Sequence, residues 1–256
     1  MTEQAAAPAS SAPAKLRADL VCAFHVLDLD GQGSGLGGHV TARVPGTETF
    51  LCHGWGLAFD EIGADDLLHV SFALERLEGR GKVNPTLTFH SEIYRARPDV
   101  GCVVHTHADH VVALTATGTR FELVTQLAAI LHDDWAFLDE YDGVVLDSSE
   151  GAMLARALGP RRALILKNHG LITVGASIGE AVIGAVVMEA CARVQLEAMR
   201  GGTVSPLPPA GAASAKRFLT TDANTLDRWN MLKRRAQRAR PDRIPASLVA
   251  DARPIP

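Results

Sequence analysis

Val100–His110 reads V-G-C-V-V-H-T-H-A-D-H, and the fold turns on this stretch. Gly101 to Val104 is a short apolar run of the kind that forms a buried strand. His105 and His107 follow it. Side chains two apart in a strand share a face, so the spacing predicts two imidazoles projecting together from the strand end. Two neutral imidazoles on one face begin a transition-metal site; the alternative is a pair of hydrogen-bonded core residues. Arg162–Gly170, R-A-L-I-L-K-N-H-G, repeats the pattern, with His169 after an apolar strand and Gly170 free to turn tightly. If the two strands lie near each other in one sheet, His169 completes a three-imidazole set. Otherwise it is a polar turn residue.

Outward from these strands, the chain has 256 residues, enough for one large domain with its own core. A net charge of −4 gives no global electrostatic case for nucleic acid. No apolar run reaches the roughly 20 residues of a membrane span. Met1–Ala14 is rich in Ala, Pro and Ser without the layout of a secretory signal, and is expected to be a disordered tail. Cys22, Cys52, Cys102 and Cys191 show no paired spacing and read as free thiols in a reducing cytoplasm.

Periodicity predicts a helix over Lys15–Leu29, and Asp28–Gly38 is a glycine-rich loop containing G-Q-G-S-G-L-G-G. Its glycines fit a flexible turn better than a phosphate cradle, since neither a Walker loop nor a dinucleotide fingerprint is present. His39–Val44 alternates as a strand, Pro45-Gly46 turns, and Thr49–His53 is expected to pair with it as a hairpin. Trp55 stands between two glycines, as a pocket wall or a core plug. Asp65–Glu78 is expected to hold a helical turn and a strand around His69–Phe72. Thr88–Ala96 is helical, with Pro98 as its stop. Helices are also expected over Val111–Ala116, Glu150–Leu158 and Gly179–Arg200, a short apolar stretch at Val144–Asp147, and a strand from Leu171. Pro206–Ala215 reads as a low-complexity linker. Asp222–Arg240 is helical and ends in a basic run, Lys233, Arg234, Arg235, Arg238 and Arg240, of the kind that most often forms a solvated face. Strands and helices are mixed, so the class is α/β or α+β. The divisions expected are a tail over 1–14, a catalytic domain over 15–203, and a linker with a helical extension over 204–256.

Three motifs together carry a family resemblance: F-H-S-E-I-Y-R-A-R-P-D-V-G-C-V-V-H-T-H at Phe89–His107, L-K-N-H-G at Leu166–Gly170, and G-G-H-V-T-A-R at Gly37–Arg43. Over roughly Leu16 to Met199 the chain resembles the class II aldolase/adducin family. The resemblance implies an α/β fold of three layers, α/β/α, around a central mixed sheet. It implies a homotetramer with active sites between neighbouring subunits. It also implies one divalent transition metal, zinc, iron, manganese or cobalt, on His105, His107 and His169.

The departures from the family's sugar-phosphate aldolases are equally informative. Those enzymes carry an acid/base Glu four residues before the helix His, here His90; this chain has Thr86. Their proton-donating Tyr falls near Gln126. Their phosphate pocket uses an Asn where this chain has His39, a small hydroxyl residue where it has Trp55, and a serine pair where it has Asn84-Pro85. A pocket without those hydroxyls, and filled with a Trp, should prefer a flat or apolar substrate, such as an aromatic one, to a phosphate. The family includes decarboxylases of hydroxylated aromatic acids and non-haem iron oxygenases of aminocoumarin pathways. Metal-dependent decarboxylation or related C–C cleavage of a hydroxy-aromatic or 2-keto acid is therefore read first. Iron-dependent oxidative decarboxylation of a 4-hydroxyphenylpyruvate-like substrate is second, and aldol chemistry third. A non-catalytic adducin-like module is the contrasting class. Glu92 and His39 are the candidate catalytic residues; His53, Trp55, Thr86 and Gln126 are the candidate substrate-binding residues. His90 is read as a group that orients a ligand or packs its helix, and His110 as structural. A neighbouring subunit could supply a proton donor such as Tyr141 or Trp229.

Overall fold

The alternation that predicts the strands also builds two cores. The structure, a computed structural model, describes residues 12–139 and 148–252. Most of the expected tail, Tyr141 and the stretch over 144–147 lie outside the described residues. Eight strands form one sheet: β1 (His39–Arg43), β2 (Thr49–His53), β3 (Leu67–Ser71), β4 (Arg76–Glu78), β5 (Cys102–Thr106), β6 (Trp135–Leu138), β7 (Ala163–Leu166) and β8 (Gly170–Gly175). Their order is β4-β3-β2-β1-β5-β8-β7-β6. β6 runs parallel to β7 while the other neighbours are antiparallel, so the sheet is mixed.

The helices are α1 (Ala14–Leu29), α2 (Thr88–Ala96), α3 (Asp109–Ala116), α4 (Ser148–Leu158), α5 (Ile178–Gly201), α6 (Pro209–Leu219) and α7 (Asp222–Ala239). On one face of the sheet Val40, Ala42, Cys102 and Val104 pack with Phe24 of α1 and Val182 of α5. On the other face Phe50, Val103 and Ile172 pack with Ile93 of α2 and Leu154 of α4. The result is three layers, and it explains why the central strands are apolar at nearly every position. Pro98 stops α2, and its last carbonyls are capped from the sheet. The Arg43 guanidinium donates to the carbonyls of Pro98 at 3.2 Å and of Tyr94, while lying 4.8 Å from the Tyr94 ring centroid.

Four expectations need correction. β4 was not anticipated, because Arg76–Glu78 is short and lies at a sheet edge. Pro206–Ala215 is not a linker throughout: Pro209 opens α6, since a first-turn proline lacks only an N–H that the helix would leave unpaired. The basic run is not simply a solvated face. Lys233 is 1% exposed, with its ammonium 3.1 Å from both Asp19 and Asp251, and Arg240 pairs with Asp28. α7 is thereby fastened to α1, and Trp229 is buried against Gly179 of α5. That burial does not suit Trp229 as a donor offered to a neighbouring subunit. No helix among the described residues is long and apolar enough to cross a membrane.

The topology gathers one end of the sheet. β1 and β8 begin where β5 and β2 end, so His39, His53, His105 and His169 all fall at that end.

Candidate metal centre

His105 closes β5, buried on the face of Val103. Its Nδ1 lies 2.9 Å from the Leu171 carbonyl of β8. A carbonyl only accepts, so Nδ1 carries the ring proton and Nε2 keeps a lone pair. His107 follows the strand, and its backbone N–H donates to Ser34 Oγ at 2.7 Å. His169 sits in the turn between β7 and β8, where Asn168 takes a φ of 56° and donates its N–H to Thr115 Oγ1 at 3.0 Å. At Gly170 a Cβ would lie 2.2 Å from the Thr106 carbonyl oxygen. Only glycine allows that approach, which brings His169 against the end of β5. β7 does not pair with β5; β8 lies between them, and the turn bridges the gap.

The three ring centroids are 4.9–5.1 Å apart, and one nitrogen from each ring lies within 4.8 Å of the others. Burial lowers the pKa of all three rings. His105 is held well below the usual imidazole range, with repulsion from His39, His169 and His107 adding to burial. His107 is lowered, and His169 falls to about 4 by burial and the neighbouring His107. All three are therefore neutral near pH 7, the state in which an imidazole carries a lone pair. Three clustered neutral imidazoles fit a divalent transition metal, in which three protein nitrogens leave further coordination positions open.

A second set of imidazoles adjoins the first. His39 faces His105 across the β1–β5 ladder, with ring centroids 4.9 Å apart. Its Nδ1 is 2.9 Å from His90 Nε2, and its Nε2 is 3.0 Å from Thr86 Oγ1. His90 Nδ1 in turn is 2.8 Å from Thr41 Oγ1, which is 2.8 Å from the Tyr94 hydroxyl. One end fixes the direction of this chain. Asn84 Oδ1 accepts the Thr86 N–H at 3.0 Å and the Thr86 hydroxyl at 2.7 Å. The Thr86 oxygen must then accept from His39 Nε2–H. His39 Nδ1 accepts from His90 Nε2–H, and His90 Nδ1 accepts from the Thr41 hydroxyl. Burial, reinforced by the neighbouring imidazoles, holds His39 and His90 well below the usual range, so both rings stay neutral.

This geometry does not match the catalytic role expected of His39, because both of its nitrogens are engaged within the protein. Nor does it match that of Glu92, which lies two residues beyond His90 on α2 and so about 200° around the helix. Glu92 pairs with Arg95 at 2.6 Å and faces Gly151 of α4. Thr86 does reach the site, through His39. His53 lies on the opposite face of the sheet from His39, edge-on to Phe24 and Phe59 at 5.0 and 5.9 Å. Trp55 is 41% exposed in the loop after β2, its backbone N–H donating to the Lys82 carbonyl at 2.8 Å. Gln126 is exposed at the start of the 3-10 turn Leu127–Leu131. His110 is structural: with the N–H groups of His110 and Val111 it satisfies the buried Glu189 carboxylate of α5 at 2.6–3.1 Å.

Residue-type reasoning missed the carbonyl of Leu171, the alcohols Thr41 and Tyr94, and Gln32 and Ser34 of the glycine loop. The loop's composition was the available signal, since glycines in series mark a backbone that something approaches closely.

A cleft of about 650 Å³ opens at the other end of the sheet, lined in part by Arg43, Thr47, Asp99 and Ser177. It is remote from the histidines, and its Arg43 is engaged in capping α2.

The family model for the class II aldolase and adducin N-terminal domain matches residues 18–196. The 4-hydroxy-3-prenylphenylpyruvate oxygenase/4-hydroxy-3-prenylbenzoate synthase of Streptomyces roseochromogenus subsp. oscitans is 33% identical over 187 residues, 72% of this chain and 68% of that protein. Decarboxylase NovR of Streptomyces niveus is 33% identical over 187 residues, 72% of this chain and 69% of that one. A solved aldolase II superfamily protein from Pseudomonas syringae has a TM-score of 0.82 at 29% identity, covering 90% of this chain and 95% of that one. With a match that runs from the first helix into the last turns of the fifth, through every histidine of the candidate metal centre, the chain belongs to the class II aldolase and adducin family.

Proposed function

We propose that this protein is a metal-dependent lyase that breaks a carbon–carbon bond, decarboxylating a small, non-phosphorylated hydroxy-aromatic or 2-keto acid. The donor set carries the reading: among the described residues, three neutral imidazoles converge with no carboxylate in the group. A divalent ion held there, zinc, iron, manganese or cobalt, supplies positive charge that stabilises negative charge on a substrate oxygen while the adjacent C–C bond breaks. Neutral ligands leave that charge undiminished, and the low pKa values keep His105 and His169 deprotonated well below pH 7. His105 is aimed by the Leu171 carbonyl and backed by His39. Thr86 replaces the family's acid/base Glu, and its hydroxyl is directed at Asn84. No carboxylate base is needed there: a hydroxy-aromatic acid takes a proton from water at the ring carbon that bears the carboxylate, and as CO2 leaves the electron pair of the broken C–C bond passes through the ring onto the substrate's oxygen. Trp55 offers a flat wall at the same end of the sheet, suited to an aromatic acid. The assembly proposed is a homotetramer in which a neighbouring subunit helps complete the pocket, working in the cytoplasm, where four buried free thiols persist.

A specific observation favours a second reading. One relative at 33% identity is named an oxygenase of a prenylated hydroxyphenylpyruvate. With Fe(II), the same three ligands would support oxidative decarboxylation using O2. Protein purified without air, analysed for metal and given 4-hydroxyphenylpyruvate separates the two. CO2 release that is independent of O2 supports the lyase. Stoichiometric O2 uptake overturns it in favour of the oxygenase. A chain with neither bound metal nor affinity for one overturns both in favour of a non-catalytic, adducin-like module.

A further inference from the structure

The glycine-rich loop Gly31–Gly38 has no part in the reading above. It leaves the end of α1 and crosses the end of β5 before entering β1. Three contacts hold it against the ligand segment. Gln32 is fully buried; its Oε1 accepts the Thr106 hydroxyl at 2.7 Å and its Nε2 donates to Asp30 at 2.8 Å, so the amide is fixed at both ends. Thr106 is the residue between the two ligands His105 and His107. Ser34 Oγ accepts the His107 backbone N–H at 2.7 Å and donates to the Gln32 carbonyl at 3.1 Å. Gly37 then crosses the His107 ring so closely that a Cβ would lie 2.4 Å from Cε1 and 3.0 Å from Nδ1.

The three ligands differ in what else secures them. His105 is paired on both sides, with His39 and Ile172, and its ring is bonded to Leu171. His169 is fixed in a tight turn between paired strands. His107 lies beyond the last residue of β5, so no strand partner holds it.

We propose that Gly31–Gly38 is a strap that sets the position and ring orientation of His107, with Gln32 and Ser34 as positioning residues for the metal centre and Gly37 as the surface against which the ring rests. The strap rests on the metal reading of the previous section. Its residues touch no substrate; they act through His107. The glycines serve close approach to an imidazole, and no phosphate is called for.

The test uses the full chain stripped of metal and titrated with Co2+ alone, following both affinity and the visible absorption of the bound ion, which reports coordination geometry. Ser34→Ala and Gly37→Ala should each weaken Co2+ binding about tenfold or more and change the band shape, the range seen when groups orienting a metal ligand are removed. Thr47→Ala, which removes comparable hydrogen bonds at the far end of the sheet, should leave both readouts unchanged. If Gly37→Ala fails to fold, Ser34→Ala carries the test. Wild-type affinity and spectrum in Ser34→Ala would overturn the strap while leaving the metal centre standing. Failure of the wild-type chain to bind Co2+ would overturn the metal reading, and the strap with it.

Discussion

His39 and His105 face each other across one strand ladder, both buried and both neutral, yet their chemistry differs. His105 gives one nitrogen to a carbonyl and keeps the other. His39 gives one to His90 and the other to Thr86. A carbonyl partner leaves an imidazole with a lone pair to offer, whereas a chain of alcohols and imidazoles ending on an amide leaves none. Residue type and burial do not separate the candidate ligand from its neighbour here; the hydrogen-bond partners do.

The sharpest way to break this contrast is to remove one ring from each set. His105→Ala should abolish stoichiometric metal binding. His90→Ala should keep about one ion per chain but lose on the order of 2–3 kcal/mol of stability in urea, because it strands His39 Nδ1 and removes a fully buried ring. Equal metal loss in both variants would erase the distinction. A comparable effect is expected at His53, which has neither role. Its pKa is pushed down to about 4 by burial, against 6.5 in the unfolded chain. Between those values the unfolded chain binds more protons, so stability is present above about pH 6.5 and falls as the pH drops toward 4, by about 3 kcal/mol for this residue. His53→Phe should reduce that slope, to which the other buried imidazoles also contribute, in chemical denaturation of metal-free protein at pH 7 and 5; an unchanged slope would contradict the assignment. The smallest effect belongs to Glu92. Glu92→Gln removes a surface pair with Arg95 and should cost less than about 0.5 kcal/mol, with turnover within about twofold of wild type. A hundredfold loss of turnover would return Glu92 to the site.

What could be read from the sequence followed short-range rules. Thr88–Ala96 was legible because Pro98 ends it, and the β1–β2 hairpin because Pro45-Gly46 turns between alternating segments. The His-x-His pair and His169 were legible because each closes an apolar strand. Other features depend on partners that sequence order hides. The role of His39 is set by register with β5 and by α2, 51 residues away at His90. Lys233 looked solvated because one of its carboxylates, Asp19, lies 214 positions earlier. The glycine loop looked flexible because the ring that needs its missing side chains belongs to His107, 73 residues beyond Ser34. α6 was hidden by its prolines, which mark a helix start as readily as a linker.

X-ray absorption at the metal edge, on protein purified without added chelator and quantified for metal, tests the central claim most directly. One divalent ion per chain with three imidazole nitrogens among its neighbours is the predicted result. An ion bound mainly by carboxylates or thiolates, or a chain that takes up none, would contradict it.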